Sequence, residues 1–115
     1  MSVVFEIHEK AVEGAAVLRV VGHLNAKSTT QLLEHCRVVR SSKRSVILNL
    51  SEVEFIASSG IGALLALTEE FREDGLMVRY ADLSSAVDSV LRLLNLQEFL
   101  GIDESVEDAI RSIAA

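Results

Sequence analysis

The side chains best suited to chemistry in this chain stand together at Ala57-Ser58-Ser59-Gly60-Ile61-Gly62, where two hydroxyls and two glycines open a helical pattern. Serine beside glycine serves nucleophilic catalysis, phosphate binding or phosphoryl acceptance, and the neighbouring residues discriminate among these. A serine nucleophile on a strand-to-helix elbow needs glycine two positions earlier, and that position holds Ile56. A dinucleotide fingerprint needs a third glycine where this chain has Leu65. His8, His23 and His35 fall on different elements without metal-ligand spacing, so each is expected to be exposed or hydrogen-bonded. Cys36 is the single cysteine, and its spacing with Leu32, Leu33 and Val39 places it on an apolar helix face as a packing residue. No nucleophile–base pair, carboxylate dyad or metal cluster is legible. The expectation is a protein without enzymatic activity, metal or other cofactor.

The serines require a strand to end and a helix to begin beneath them, and the flanking sequence supplies both. Val46 to Leu50 is a short, β-branched run of the kind found in buried parallel strands, and Ser51 to Ile56 reads as an acidic turn. Ile61, Leu64, Leu65, Thr68 and Phe71 then recur at helical spacing, with Ile61, Leu64, Leu65 and Phe71 expected to face the core and Gly75 to close the helix. Upstream, Val3, Phe5 and Ile7 alternate as a half-buried strand, and a turn at Glu13-Gly14 leads to a denser strand from Val17 to Val21 that Gly22 ends. Asn25 to Ser42 carries a helix with Asn25 or Ser28 as its cap. Downstream come a strand at Leu76 to Ala81, a helix marked by Val87, Val90, Leu91 and Leu94 with Ser84 or Ser85 as cap, a short edge strand within Phe99 to Ile102, and an amphipathic helix at Val106, Ala109, Ile110 and Ile113. Strands alternating with helices imply an α/β sandwich, its mixed and mainly parallel sheet having about four to five strands and about four helices. Leu93 and Leu96 are expected to pack in the core.

The 115 residues suit a single domain spanning 1–115, and apolar runs such as Ile61 to Leu67 are far shorter than a membrane span. A cytoplasmic chain that does not insert in a membrane is expected. Seventeen acidic against eleven basic residues give a net charge of −6, with Arg37, Arg40, Lys43 and Arg44 the one basic cluster, so nucleic acid is not an expected partner. Glu69, Glu70, Glu73 and Asp74 form an acidic helix end that reads as a solvated face or as a rim for a basic partner patch.

A hydrophobic strand, a short acidic stretch, a Ser-Ser-Gly-x-Gly step and an aliphatic helix together resemble the STAS domain of bacterial anti-sigma factor antagonists. Gly22-His23-Leu24-Asn25 is similar to that family's Gly-x-Leu-Asp step, Ser28 falls where the family has threonine, and Leu76 to Ala81 matches its fourth strand. The resemblance implies a STAS-type sandwich and a partner-switching function. The chain would bind an anti-sigma factor of the histidine-kinase-like ATPase fold, which phosphorylates the first serine of the step, here Ser58, and a serine phosphatase would reverse the modification. Partner contacts are then expected at Asn25, Ser28, Ser58, Ser59, Gly60, Gly62, Ala63 and Ala66. The sequence departs from the family at two positions, with Ala57 before the acceptor serine and Asn25 in place of the acid of the Gly-x-Leu-Asp step. Their absence leaves three alternatives open: acceptance by Ser59, a docking face that carries no phosphate, and Ser58 as a plain helix cap. The second alternative would make the chain a scaffold subunit of a signalling or transport assembly. A sensor holding a small anion or nucleotide at the Ser58 to Gly62 turn ranks after it.

Overall fold

The computed structural model describes residues 4–115, so Val3 of the expected first strand lies outside the described residues. The elements run β1 (Glu6–Val12), β2 (Ala15–Leu24), α1 (Ala26–Ser41), β3 (Ser45–Ile56), α2 (Ser58–Glu73), β4 (Val78–Ala81), α3 (Ser85–Leu93), β5 (Gly101–Asp103) and α4 (Val106–Ala114). They form one five-stranded sheet in the order β1-β2-β3-β4-β5. The β1–β2 pair is antiparallel across a two-residue turn, with Gly14 at φ 76°, and the other three pairings are parallel.

The sheet separates two apolar clusters of unequal size. Leu18, Val20, Leu48 and Leu50 of the central strands meet Leu32, Leu64, Phe71, Val87 and Leu91 of α1, α2 and α3 on one face. On the other, Ala15, Val17, Ile47 and Ala81 meet Ala109 of α4. Alternate residues of β2 and β3 therefore serve opposite layers, which explains why both strands are almost continuously apolar over their first halves.

Two central strands are longer than expected. β3 does not stop at Leu50; Ser51 to Ile56 is strand rather than turn, pairing alongside the extension of β2 through Gly22 to Leu24. The register shifts between Arg19 and Val21 and again between Gly22 and His23, and Gly22 at φ 110° takes up a backbone angle that costs other residues strain. Gly22 thus bends β2 instead of ending it. In α2, Leu65 is 37% exposed rather than core-facing. The buried residues are Gly60, Ile61, Leu64, Leu67 and Phe71, a stripe centred near Leu64, and at roughly 100° per residue Leu65 falls on its flank. Leu93 also departs from expectation: it is 84% exposed at the end of α3, whereas Leu96 packs against the core.

The basic cluster and the acidic end of α2 meet each other. Arg37 and Arg40 of α1 both bind Glu70, at 3.0 and 3.3 Å, and Arg40 also binds Asp74 at 2.7 Å. The hydrogen bond from Arg37 holds the Glu70 carboxyl below its ordinary range, and that from Arg40 does the same for Asp74. This fastens the C-terminal halves of α1 and α2 side by side.

Candidate functional site

The site is built where the carboxyl ends of β2 and β3 turn together into α1 and α2. Leu24 lies opposite Ile56 in the sheet, and the Ala57 N–H donates to the Leu24 carbonyl at 2.9 Å. The two helices therefore start next to each other. Asn25 and Ala57, the two positions at which the expected acids are missing, are the N-caps of these neighbouring helices.

The caps are chemically unlike. Asn25 Oδ1 accepts from the Ser28 N–H at 3.0 Å, and the Asn25 N–H donates to Ser28 Oγ at 2.9 Å, so both residues are used in one reciprocal capping box. The Ser28 hydroxyl donates in turn to the His23 carbonyl. Ser28 is 4% exposed and committed to these bonds, which removes it from the expected contact surface. Ala57 has no side-chain cap to offer, and its carbonyl accepts from the N–H groups of Gly60 and Ile61 at 2.9 and 3.1 Å. Ser58 is consequently the first residue of the helix and not its cap, which overturns the plain capping reading. Ser58 and Ser59 both face solvent.

The glycines divide by environment. Gly60 is buried, and a Cβ there would stand 2.9 Å from Ile56 Cγ1 and 3.3 Å from both the Leu24 carbonyl oxygen and Thr29 Oγ1. It lacks a side chain because α1 and the strand ends press on it, so it offers nothing to a partner. Gly62 is exposed with open space where a Cβ would be. Ala63 is half-buried and Ala66 exposed, so Ser58, Ser59, Gly62 and Ala66 leave a low surface along α2 with Ala63 at its edge and Asn25 beside its start.

Two apolar residues unexpected from sequence flank this surface. Phe55 is 51% exposed, and its ring meets that of His23 edge-on at 5.8 Å; Leu65 is the other. The signal for Phe55 is the aromatic residue three positions before Ser58, which a turn over Ser51 to Ile56 hides. Thr29 carries the remaining anomaly: its Oγ1 is buried without a hydrogen-bond partner.

The other reactive groups are occupied. His8 pairs with Glu6 and His35 with Glu9, both at 2.7 Å, and His23 lies 3.6 Å from Glu54. Burial pushes the Cys36 thiol up to about 12, which keeps it protonated and unreactive at neutral pH. Among the described residues no three His, Cys, Asp or Glu side chains gather as a metal site, and no helix is long and apolar enough to cross a membrane.

A family model for the STAS domain matches residues 6–109. The chain belongs to the STAS family. Solved structures of similar fold include a putative anti-sigma factor antagonist from Thermotoga maritima, with a TM-score of 0.86 at 20% identity over 95% of each chain. An anti-sigma factor antagonist from Mycobacterium paratuberculosis also gives 0.86, at 18% identity over 97% of this chain and 96% of that one. The Bacillus cell-fate determinant SpoIIAA in its phosphorylated form gives 0.70 at 19% identity, over 96% and 99%. The fold of this STAS chain, a mixed five-stranded sheet with four helices, is thus that of anti-sigma factor antagonists.

Proposed function

We propose that this STAS domain acts by binding, as an anti-sigma factor antagonist whose affinity for its partner is set by phosphate at Ser58. The partner is an anti-sigma factor of the histidine-kinase-like ATPase fold that also serves as the kinase, and a serine phosphatase in another chain removes the modification. The observation that carries this reading is the exposed Ser58 hydroxyl on the first turn of an uncapped helix, bordered by Gly62 and Ala66 where a partner backbone has room. The first N–H groups of a helix lack intrahelical acceptors and mark the positive end of its dipole, so a phosphate there is locally favourable. Within a closed interface the same charge, about −1.5 to −2, must be desolvated and weakens binding. The contact set supported by exposure is Asn25, Ser58, Ser59, Gly62, Ala63 and Ala66, extended by Phe55 and Leu65.

Ala57 and Asn25 support a second reading. The family's two acids would stand at adjoining helix caps, and with neither present the surroundings of Ser58 are less negative by about two charges. A permanently docked, unphosphorylated scaffold subunit needs no acid there. Incubation with the cognate anti-sigma kinase and ATP, followed by intact-mass analysis and binding titrations, separates the two. A regulated switch gains a phosphoryl group that Ser58→Ala abolishes, Ser58→Asp weakens binding, and Ser58→Ala binds like unmodified protein. Equal affinity for native, Ser58→Asp and Ser58→Ala proteins, with no phosphate gained, gives the scaffold reading.

A further inference from the structure

We propose that the β1 edge docks a second copy of this chain, joining two sheets through antiparallel β1–β1 pairing centred on His8. β1 bonds to β2 on one side, and among the described residues nothing pairs with its outer side. Proteins protect such edges with proline, bulges, a covering element or charge. Glu6-Ile7-His8-Glu9-Lys10-Ala11-Val12 has no proline, and its register with β2 is unbroken. What it carries is charge, and that charge is self-complementary.

A twofold axis through the middle of an edge strand sets residues equidistant from the centre opposite each other, on the same face of the joined sheet. With His8 at the centre, Glu6 of each copy faces Lys10 of the other, so one symmetric contact makes the attractive pair twice. Val4 then faces Val12, and Phe5 faces Ala11. The neighbouring registers are poorer. Centring on Glu9 sets that carboxylate against its own copy, and centring on Ile7 leaves Lys10 opposite Val4. Lys10 makes no ion pair among the described residues, so it is available for this one.

The backbone phase agrees. The two-residue turn makes Val12 and Ala15 a hydrogen-bonded pair, so His8 and Lys10 direct their amides inward to β2 while Ile7 and Glu9 direct theirs outward. Centring on His8 places Ile7 opposite Glu9, the pair whose outward groups can exchange hydrogen bonds. Two exposed apolar side chains belong to this edge. Val4 is 66% exposed just before β1, and Val38 is 65% exposed on α1, three residues from the His35 that binds Glu9 on β1. Pairing the edges sets Val4 against Val12 of the other copy on the α4 face, while the two α1 helices, which pack over β2 and β3, stand on the opposite face of the joined sheet. The serine face lies on α2, which packs above β3 and β4 away from this edge, so it stays open in both copies.

Sedimentation velocity of the full chain at low salt, across a wide concentration range, tests the proposal. The native chain forms dimers. Lys10→Glu and Glu6→Lys each replace two attractive pairs with two repulsive ones and weaken dimerisation by about tenfold or more. The double variant Glu6→Lys/Lys10→Glu restores the attraction with its sign exchanged and dimerises like the native chain. Both positions are exposed, and circular dichroism of each variant verifies the fold. A native chain that stays monomeric at every concentration overturns the proposal, as do single variants that dimerise as tightly as native or a double variant no tighter than the singles.

Discussion

Gly60 and Gly62 sit two residues apart in one helix, yet alanine at each should move stability in opposite directions. At Gly60 the added methyl enters a space bounded by Ile56 Cγ1 at 2.9 Å and by the Leu24 carbonyl and Thr29 Oγ1 at 3.3 Å. The carbonyl cannot yield easily, because it already accepts the Ala57 N–H that ties the two helix starts together. Overpacking a site of this kind costs about 1–3 kcal/mol. Three close contacts, one of them with a backbone carbonyl, put this site in the upper part of that range, about 2–3 kcal/mol; alanine returns about 1 kcal/mol through helix propensity, so the net loss is about 1–2 kcal/mol. For a domain of this length that lowers Tm by about 4–8 °C. At Gly62 no atom lies within 4 Å of the new methyl. The propensity gain stands alone there, about 0.5–1 kcal/mol, and Tm rises by about 2–4 °C. Calorimetry of the two single variants reads both shifts. A Gly60→Ala protein as stable as native, or a pair of shifts with the same sign, would refute the close approach of α1 to the first turn of α2.

Two other perturbations follow from single contacts. Thr29→Val exchanges a buried, unpartnered hydroxyl for a methyl of similar shape, and removing that unpaired group should raise stability by about 1 kcal/mol, read as a higher urea midpoint at unchanged slope. Glu70 and Asp74 titrate below their ordinary range in the folded chain, so the stability they supply is complete above the unfolded carboxylate range and is lost as pH falls through their lowered values. Arg40→Ala should therefore flatten the acid side of the stability–pH curve and leave a smaller response to salt, both measurable by chemical denaturation between neutral and strongly acid pH.

What the sequence made legible was the alternation of elements and the identity of the serine step, because strand and helix periods are strong over these lengths. What it hid depended on neighbours far along the chain. Gly60 and Gly62 look alike in sequence, and only the packing of Thr29 and Ile56 separates a glycine required by crowding from one that leaves space. Ser28 resembled a surface hydroxyl until the reciprocal bonds with Asn25 consumed it. Phe55 was obscured because the shifts in the β2–β3 register break the simple alternation by which an outward residue would be recognised. Leu65 was misplaced by a fraction of a helical turn, which an aliphatic run with few polar markers does not resolve.

The bare cap at Ala57 sets α2 apart from its three companions, which begin under the side chains of Asn25, Ser84 and Ser105. A capping bond contributes about 1 kcal/mol to the first turn it closes. Without one, the turn at Ser58 and Ser59 lacks a bond that the other three helix starts have, while the Ala57 amide is bonded to the Leu24 carbonyl and Gly60 is buried beside Ile56 and Thr29. Any unravelling there would be bounded by these two fixed points, leaving two residues free to open. A partner that required the Ser58–Ser59 backbone in extended form would therefore have to open one uncapped turn, with the rest of the sheet and helices left in place.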